Sequence, residues 1–271
     1  MTATAPADLL ATIVSATRRI VEVREARQPL DALAKARTRR PRGPAFEAAL
    51  RAADGVGLPE GARIIAECKR RSPSKGVLRP QYDPAAHARA YAAGGAAAIS
   101  VLTEPTFFDG DPQHLRDVRA AVEIPLLRKD FIVSEYQLME AVVLGADAAL
   151  LIVAALEPRA LARLLAQTEA LGLAALVEAH SVEEMQQAVD AGARIVGVNS
   201  RNLRTLEVNM GVLDAVAERL PAHVTAVAES GIRSSSDLVR LGAAGYHAFL
   251  VGERLITEPD PGGALRRLCG R

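Results

Sequence analysis

The 271-residue chain has no tryptophan, and aromatic residues make up only 3% of it. Cysteine is almost as scarce: Cys68 and Cys269 stand far apart, which excludes both a disulfide framework and a cysteine metal cluster. A reducing cytosol is the simplest setting for such a chain. Charge of one sign is lacking too, since 33 basic residues against 32 acidic ones leave +1 overall. No global field therefore draws the chain to nucleic acid or to a membrane surface. The longest apolar stretch, Ala148 to Leu156, is bounded by Asp147 and Glu157 and is too short to cross a bilayer. Asp8 falls where the apolar core of an export signal would begin. Neither G-x-G-x-x-G nor a P-loop occurs, so an open nucleotide-binding sheet loses its usual signature.

What is present is regular. With 49% hydrophobic and 24% charged residues, the chain has the balance of a globular protein. Asp8 to Arg27 carries Leu9, Leu10, Ile13, Val14, Ile20 and Val23 at helical spacing, and Ala45 to Ala53 fits a second short helix. Between them Arg37 to Pro44 (RTRRPRGP) is basic and broken by proline; with no aromatic residues interleaved, it is expected to be a solvated connector rather than an RNA contact. From Arg63 onward, short apolar segments recur at 63–68, 97–102, 125–128, 148–153, 173–178, 194–199, 224–229 and 247–252. The stretches between them carry helix signals. Asp83-Pro84 and Asp111-Pro112 fit an N-cap followed by proline. Ser134-x-x-Gln137 and Ser181-x-x-Glu184 fit capping boxes. Glycines in Gly94-Gly95-Ala96, Gly145-Ala146, Gly192-Ala193 and Gly242-Ala243 are expected to close helices before the next strand. Eight nearly all-apolar strands alternating with helices predict a closed (β/α)8 TIM barrel over 61–271, with an N-terminal helical extension over 1–60.

In such a barrel the active site lies at the C-terminal ends of the strands. Here those ends read Glu67-Cys68-Lys69, Lys129-Asp130, Glu178, Asn199-Ser200-Arg201, Glu229-Ser230-Gly231 and Gly252-Glu253. Side chains alternate along a strand, so Glu67 and Lys69 share one face and Cys68 takes the other. One ionisable group on an apolar strand could be a structural ion pair. Two lysines and three glutamates at matching positions indicate a functional site. The five histidines show no metal-binding spacing, and His180, close behind Glu178, is assigned a loop or helix-start role. Cys68 is expected to be buried behind the barrel wall. Phe107 and Phe108 fit either loop packing or stacking on a substrate. Gly231 and Gly252 would let the main chain approach an anion closely, with Arg201 beside them.

Four stretches carry a resemblance: Ile65 to Gly76 (IAECKRRSPSKG), Leu127 to Val133 (LRKDFIV), Val198 to Leu203 (VNSRNL) and Ala228 to Ile232 (AESGI). In order and at the right strands, they resemble the indole-3-glycerol phosphate synthase family, and the likeness extends over essentially the whole chain. It implies cofactor-free and metal-free conversion of 1-(2-carboxyphenylamino)-1-deoxyribulose 5-phosphate to indole-3-glycerol phosphate. It further implies that Lys129 protonates the ribulose carbonyl oxygen, that Lys69 holds the carboxylate and is open to a second role as acid in the dehydration, that Glu178 assists proton transfer and that Glu67 is a candidate base in the later steps. Asn199, Glu229 and Ser230 would orient the substrate. Ser72, Arg201, Gly231, Gly252 and Glu253 match a phosphate clamp. Phe108, Phe131, Leu150 and Pro73 match the apolar wall around the arene, with Pro73 on a mobile loop. The implied partner is a phosphorylated small molecule, with no nucleic acid and no membrane, in the cytoplasm. A monomer or weak homodimer stays open, as does association with other tryptophan-pathway enzymes.

Three positions depart from the family pattern. No tryptophan stands in the N-terminal segment, Ala154 replaces a frequent lysine, and Glu253 takes the place of a small residue such as serine. A carboxylate opposing a phosphate would weaken binding, so Glu253 is expected to offer its N–H and turn its carboxylate away. The alternatives are another phosphate-binding barrel, such as phosphoribosylanthranilate isomerase, or a catalytically silent barrel retained as a partner. An isomerase would carry a cysteine or aspartate acid–base pair at the strand ends, and a silent barrel would have lost Lys129 or Glu178.

Overall fold

The computed structural model describes residues 8–51 and 58–271. Eight parallel strands close into a barrel: β1 (Arg63–Cys68), β2 (Ala98–Leu102), β3 (Leu126–Lys129), β4 (Ala148–Ile152), β5 (Ala174–Ala179), β6 (Ile195–Asn199), β7 (Thr225–Glu229) and β8 (Ala248–Val251). Closure is direct, because Ile65 of β1 pairs with Ala98 of β2 on one side and with Leu250 of β8 on the other. No boundary lies more than one residue from its apolar segment. Alternation sorts the side chains. Ile64, Ala66 and Cys68 pack outward beneath helices, whereas Ile65, Leu127, Leu150, Leu176, Ile195 and Val227 fill the interior.

Helices α4 (Pro84–Ala93) and α6 (Pro112–Ala121) begin with proline after the predicted Asp83 and Asp111 caps. Between them lies a single turn, α5 (Pro105–Phe108). Ser134 and Ser181 cap α7 (Glu135–Leu144) and, beyond α8 (Pro158–Ala170), α9 (Val182–Asp190). Neither forms the full predicted box: Gln137 and Glu184 reach back one residue further, to the N–H groups of Val133 and His180. The complete box is Ser234 with Asp237, at the start of α11 (Ser235–Ala243), after α10 (Gly211–Ala217). One expected helix end moves. Gly242 lies inside α11, and Gly245, with φ of 105°, takes the left-handed conformation that ends it. Helices α12 (Glu253–Ile256) and α13 (Pro261–Leu268) complete the chain, and no helix among the described residues is long and apolar enough to cross a membrane.

The N-terminal segment holds both ends of the barrel. Helix α1 (Leu9–Arg27), capped by Asp8, lies against α5 and the turn Val153–Ala155 at the C-terminal rim. After α2 (Leu30–Lys35) comes α3 (Gly43–Leu50), earlier than the expected 45–53, of which 52–53 lie outside the described residues. Its Phe46 and Leu50, both fully buried, close the opposite mouth among Ala98, Ala148 and Ala174.

The basic run before α3 is largely exposed, as its composition suggested, but two of its arginines are tied to the barrel. Asp147, fully buried just ahead of β4, accepts from Arg39 Nη2 (2.8 Å), Arg42 N (2.9 Å), Arg119 Nη1 (3.0 Å) and Leu126 N (3.1 Å). A buried carboxylate needs such partners, and the extension supplies two of them. Replacing Asp147 by Ala is expected to remove about 3 kcal/mol of stability, the low end for a broken buried pair, because the arginines can turn to water. Arg39→Ala should cost about 1 kcal/mol or less, since that side chain is partly exposed. Urea unfolding of both variants checks this ordering, and equal losses would contradict it.

Candidate active site

A cavity of about 700 Å³ opens at the C-terminal ends of the strands. It is lined by all sixteen residues proposed from the sequence: Glu67, Lys69, Ser72, Pro73, Phe108, Lys129, Phe131, Leu150, Glu178, Asn199, Arg201, Glu229, Ser230, Gly231, Gly252 and Glu253. Its floor is a layer of four side chains from alternate strands, in the manner of barrel interiors. Glu67 comes from β1, Lys129 from β3, Glu178 from β5 and Glu229 from β7. Lys129 Nζ lies 3.1 Å from Glu178 Oε2 and 3.7 Å from Glu229 Oε2. Above them Lys69 Nζ lies 2.6 Å from Glu67 Oε2.

Two cations and three carboxylates cannot all be charged and balanced in a buried layer. The environment separates them. Burial opposes charge on Lys129, but Glu178, Glu229 and Glu67 outweigh it and hold the ammonium on well above the usual lysine range. Burial likewise opposes charge on Glu178, yet Lys129 and His180 more than offset it, so this carboxyl ionises well below its ordinary range. Glu229 moves the other way: burial and the adjacent Glu178 charge raise it well above the usual carboxylate range. The layer thus contains a carboxylate, a protonated acid and an ammonium within reach of one another, a set able to accept a proton, donate one and stabilise an oxyanion.

The strand ends are anchored from outside. Arg128, fully buried on the outer face of β3, donates to Asp130 (2.9 Å), Glu140 (3.0 Å), Thr103 (3.1 Å) and the Gln137 carbonyl (2.6 Å). Fixing Arg128 and Asp130 fixes Lys129 between them. Cys68 faces outward, its Sγ 3.8 Å from the Pro84 carbonyl, and burial pushes its thiol up, so it is a packing residue. Among the described residues, no group of three or more His, Cys, Asp or Glu side chains is arranged to hold a metal ion.

At one side of the cavity, the rings of Phe108 and Phe131 lie 6.1 Å apart and tilted by 38°. Phe107 packs beside α1 and does not line the cavity, so the two candidate aromatics divide between packing and lining. At the other side, Ser230 (φ 66°) and Gly231 (φ 74°) are both left-handed, a costly arrangement for serine. Arg201 Nη1 donates to the Leu206 carbonyl (3.0 Å) and reaches Ser74 Oγ (3.4 Å). The Glu253 carboxylate is neutralised by Lys75, with Oε1 and Nζ 2.6 Å apart.

Sequence reasoning missed three contributors. Lys75 shows no signal beyond its place in a basic loop. His180, assigned to the start of a helix, donates its N–H there to Glu184 but also puts its ring against Glu178. Gly197 offered a faint signal, a glycine in a strand of otherwise branched residues; a Cβ there would collide with Glu229 Oε1.

Comparison with known proteins places this geometry. The indole-3-glycerol phosphate synthase family model matches residues 10–268. An indole-3-glycerol phosphate synthase of Streptomyces griseus is 50% identical, over 94% of this chain and 93% of its own length. One of Carboxydothermus hydrogenoformans is 54% identical, over 76% of this chain and 78% of its own. Among solved structures, a thiamine phosphate pyrophosphorylase of Pyrococcus furiosus matches with TM-score 0.56 and 18% identity, over 76% of this chain and 93% of that one. The N-acetylmannosamine-6-phosphate 2-epimerase of Clostridium perfringens gives 0.57 and 16%, over 73% and 88%. At such identities these two show the barrel alone.

Gly197→Ala is expected to destabilise the fold by about 1–3 kcal/mol, the cost of overpacking a filled interior. Gly61→Ala, where an added Cβ meets nothing within 4 Å, should change stability by about 0.5 kcal/mol or less. Urea midpoints of the two variants test the difference, and an unchanged Gly197→Ala protein would mean that Glu229 does not lie across that strand.

Proposed function

Because the chain belongs to the indole-3-glycerol phosphate synthase family, an activity of tryptophan biosynthesis, we propose that it is a carboxy-lyase whose reaction runs on the charged layer at the barrel mouth. The observation that carries the residue assignment is Lys129, an ammonium held among Glu178, Glu229 and Glu67 at the closed end of the cavity.

Ring closure requires the arene carbon bearing the carboxylate to attack the ribulose carbonyl while negative charge develops on its oxygen. Lys129 supplies the cation, and its proton, where that charge appears. Lys69, nearer the rim, takes the substrate carboxylate until carbon dioxide leaves. Glu178, ionised and fixed against Lys129, accepts the proton removed when the ring becomes aromatic. Glu67, paired with Lys69, acts as a base in the later steps. Water leaves the former carbonyl carbon in the step that makes the new ring aromatic: Lys69 protonates the departing hydroxyl, and Glu178 takes the proton from the neighbouring methylene carbon. Glu229, protonated, joins Asn199 and Ser230 in holding the substrate hydroxyls. The arene lies along Phe108, Phe131, Leu150 and Pro73. Phosphate binds at Ser72, Arg201 and the main chain of Gly231, Gly252 and Glu253. Lys75 removes the repulsion that Glu253 would otherwise exert.

The isomerase alternative finds no support in the outward-facing Cys68. Two free cysteines, both buried, suit action in the cytoplasm. The helices before residue 51 belong to the same folding unit in this reading, since they supply partners at both barrel mouths.

Indole fluorescence on addition of the carboxyphenylamino-ribulose phosphate tests the assignment. Lys129→Ala should lower kcat by about 10²- to 10⁴-fold with a much smaller change in KM. A loss under about tenfold would move the proton donor to Lys69. At the phosphate end, Arg201→Ala is expected to raise KM by about tenfold or more, as loss of a charge-assisted donor should. Glu253→Ser should leave KM within about threefold, a change under 1 kcal/mol, because the main-chain N–H remains. A KM at least tenfold lower in Glu253→Ser would show the carboxylate opposing the phosphate.

A further inference from the structure

Behind Glu178, off the cavity wall, β5 runs into a histidine with a carboxylate on each side of its ring. His180 Nδ1 lies 3.1 Å from Glu184 Oε2, and Nε2 lies 3.2 Å from Glu178 Oε1. The same Glu184 oxygen accepts the His180 backbone N–H at 2.8 Å, so the ring is tethered through both its backbone and its side chain. Glu178 uses its other oxygen, Oε2, for Lys129. Glu184, His180, Glu178 and Lys129 form a line of ion pairs from the first turn of α9 into the floor of the cavity. A neutral imidazole donates from one nitrogen only and would present a lone pair to one of the two carboxylates. Only the imidazolium turns positive charge toward both; its Nε2 lies at ion-pair distance from Glu178 Oε1, outside hydrogen-bond geometry.

We propose that His180 is a positioning residue for Glu178: its imidazolium, tethered by Glu184, pins Oε1 so that Oε2 stays on Lys129 and the carboxylate stays ready to accept a proton. The proposal rests on the reading of Glu178 as the proton acceptor. The side chain is only 13% exposed, and although burial works against its charge, the bonds to Glu178 and Glu184 raise it to about 9. The sign of the consequence follows from the groups present. Glu178 and Glu184 face His180. Lys129, His180, Asn199 and Glu229 face Glu178, with Glu67 across Lys129. Removing the imidazolium takes one of two cations from Glu178, so its ionisation moves to higher pH. The acidic limb of the rate profile moves with it.

The test is the pH dependence of kcat and KM for the wild type, His180→Gln and Glu184→Gln. In His180→Gln the acidic limb of kcat should move up by at least about one pH unit, as expected when an opposite charge in contact is lost. The plateau should fall by about ten- to a hundredfold, the cost of a misplaced catalytic group, with KM little changed. Glu184→Gln, partly exposed and remote from the cavity, should shift the limb in the same direction by less. Limbs that stay in place in both variants, or a loss carried by KM, overturn the proposal. If His180→Gln does not fold, Glu184→Gln and a wild-type titration of imidazole nitrogens by NMR decide it. One of the five histidines should titrate near 9 and return toward its ordinary value in Glu178→Gln. A wild-type His180 that titrates near 6.5 overturns the proposal. Normal turnover in Glu178→Gln would instead remove Glu178 from the mechanism, a failure distinct from that of the histidine titration.

Discussion

Lys129, an ammonium shut into the mouth of the barrel with three glutamate side chains around it, constrains everything near it. Burying one charge alone is prohibitive, and burying a set is tolerable only when every member has a partner. Glu178 and Glu229 remain in an apolar interior because Lys129 is between them, and Lys129 stays ionised because they are there. Odd-numbered strands supply this layer. At the same level the even-numbered strands β2 and β6 contribute Ser100 and Gly197, small enough to leave room. A side chain at Gly197 would displace Glu229 directly. Arg128, satisfied on the outer face by four partners, keeps the lysine from drifting.

Stability and chemistry are divided between the two mouths of the barrel. At the closed mouth, Phe46 and Leu50 of α3 fill the interior, and Asp147 ties the arginine run to β4. None of these side chains lines the cavity. At the open mouth the structure tolerates what a core would not: buried carboxylates, a left-handed Ser230 and loops held by single ion pairs such as Lys75 with Glu253. Strain of this kind persists only when the surrounding scaffold over-determines it. Helix α1 contributes to both ends, because it begins at the rim and leads into the segment that closes the floor.

The charge pattern of the layer also separates roles between identical residue types. Glu178 and Glu229 are both buried on interior positions of parallel strands. One is flanked by two cations and ionises early. The other faces a carboxylate and keeps its proton. The difference starts with Lys129, which lies closer to Glu178 than to Glu229, and is widened from outside the cavity by His180. Lining residues alone would not reveal which glutamate is ionised and which is protonated.

The eight strands were legible because burial on both faces leaves a nearly uninterrupted apolar run, with acidic residues and lysines gathered toward the strand ends. The rim residues were legible for the same reason: ionisable groups at the ends of apolar strands have a high desolvation cost and few structural uses. Alternation placed Cys68 outside and Glu67 inside without any coordinates. Other features depended on chain segments meeting across space. Arg39 and Arg42 form a clip only because β4 places Asp147, over a hundred residues away in sequence, in their path. Lys75 neutralises Glu253 only because the loop after β1 folds over the end of β8. His180 stands two residues after Glu178 in sequence, but its charge depends on Glu178 and on Glu184 turning back to it at the start of α9. The sequence by itself determined which residues are buried, on which face, and in what repeating order, since local periodicity and desolvation operate along the chain. Which charges pair, and so which acid holds a proton, was decided by tertiary structure, because Coulombic interaction depends on distances that only closure of the barrel sets.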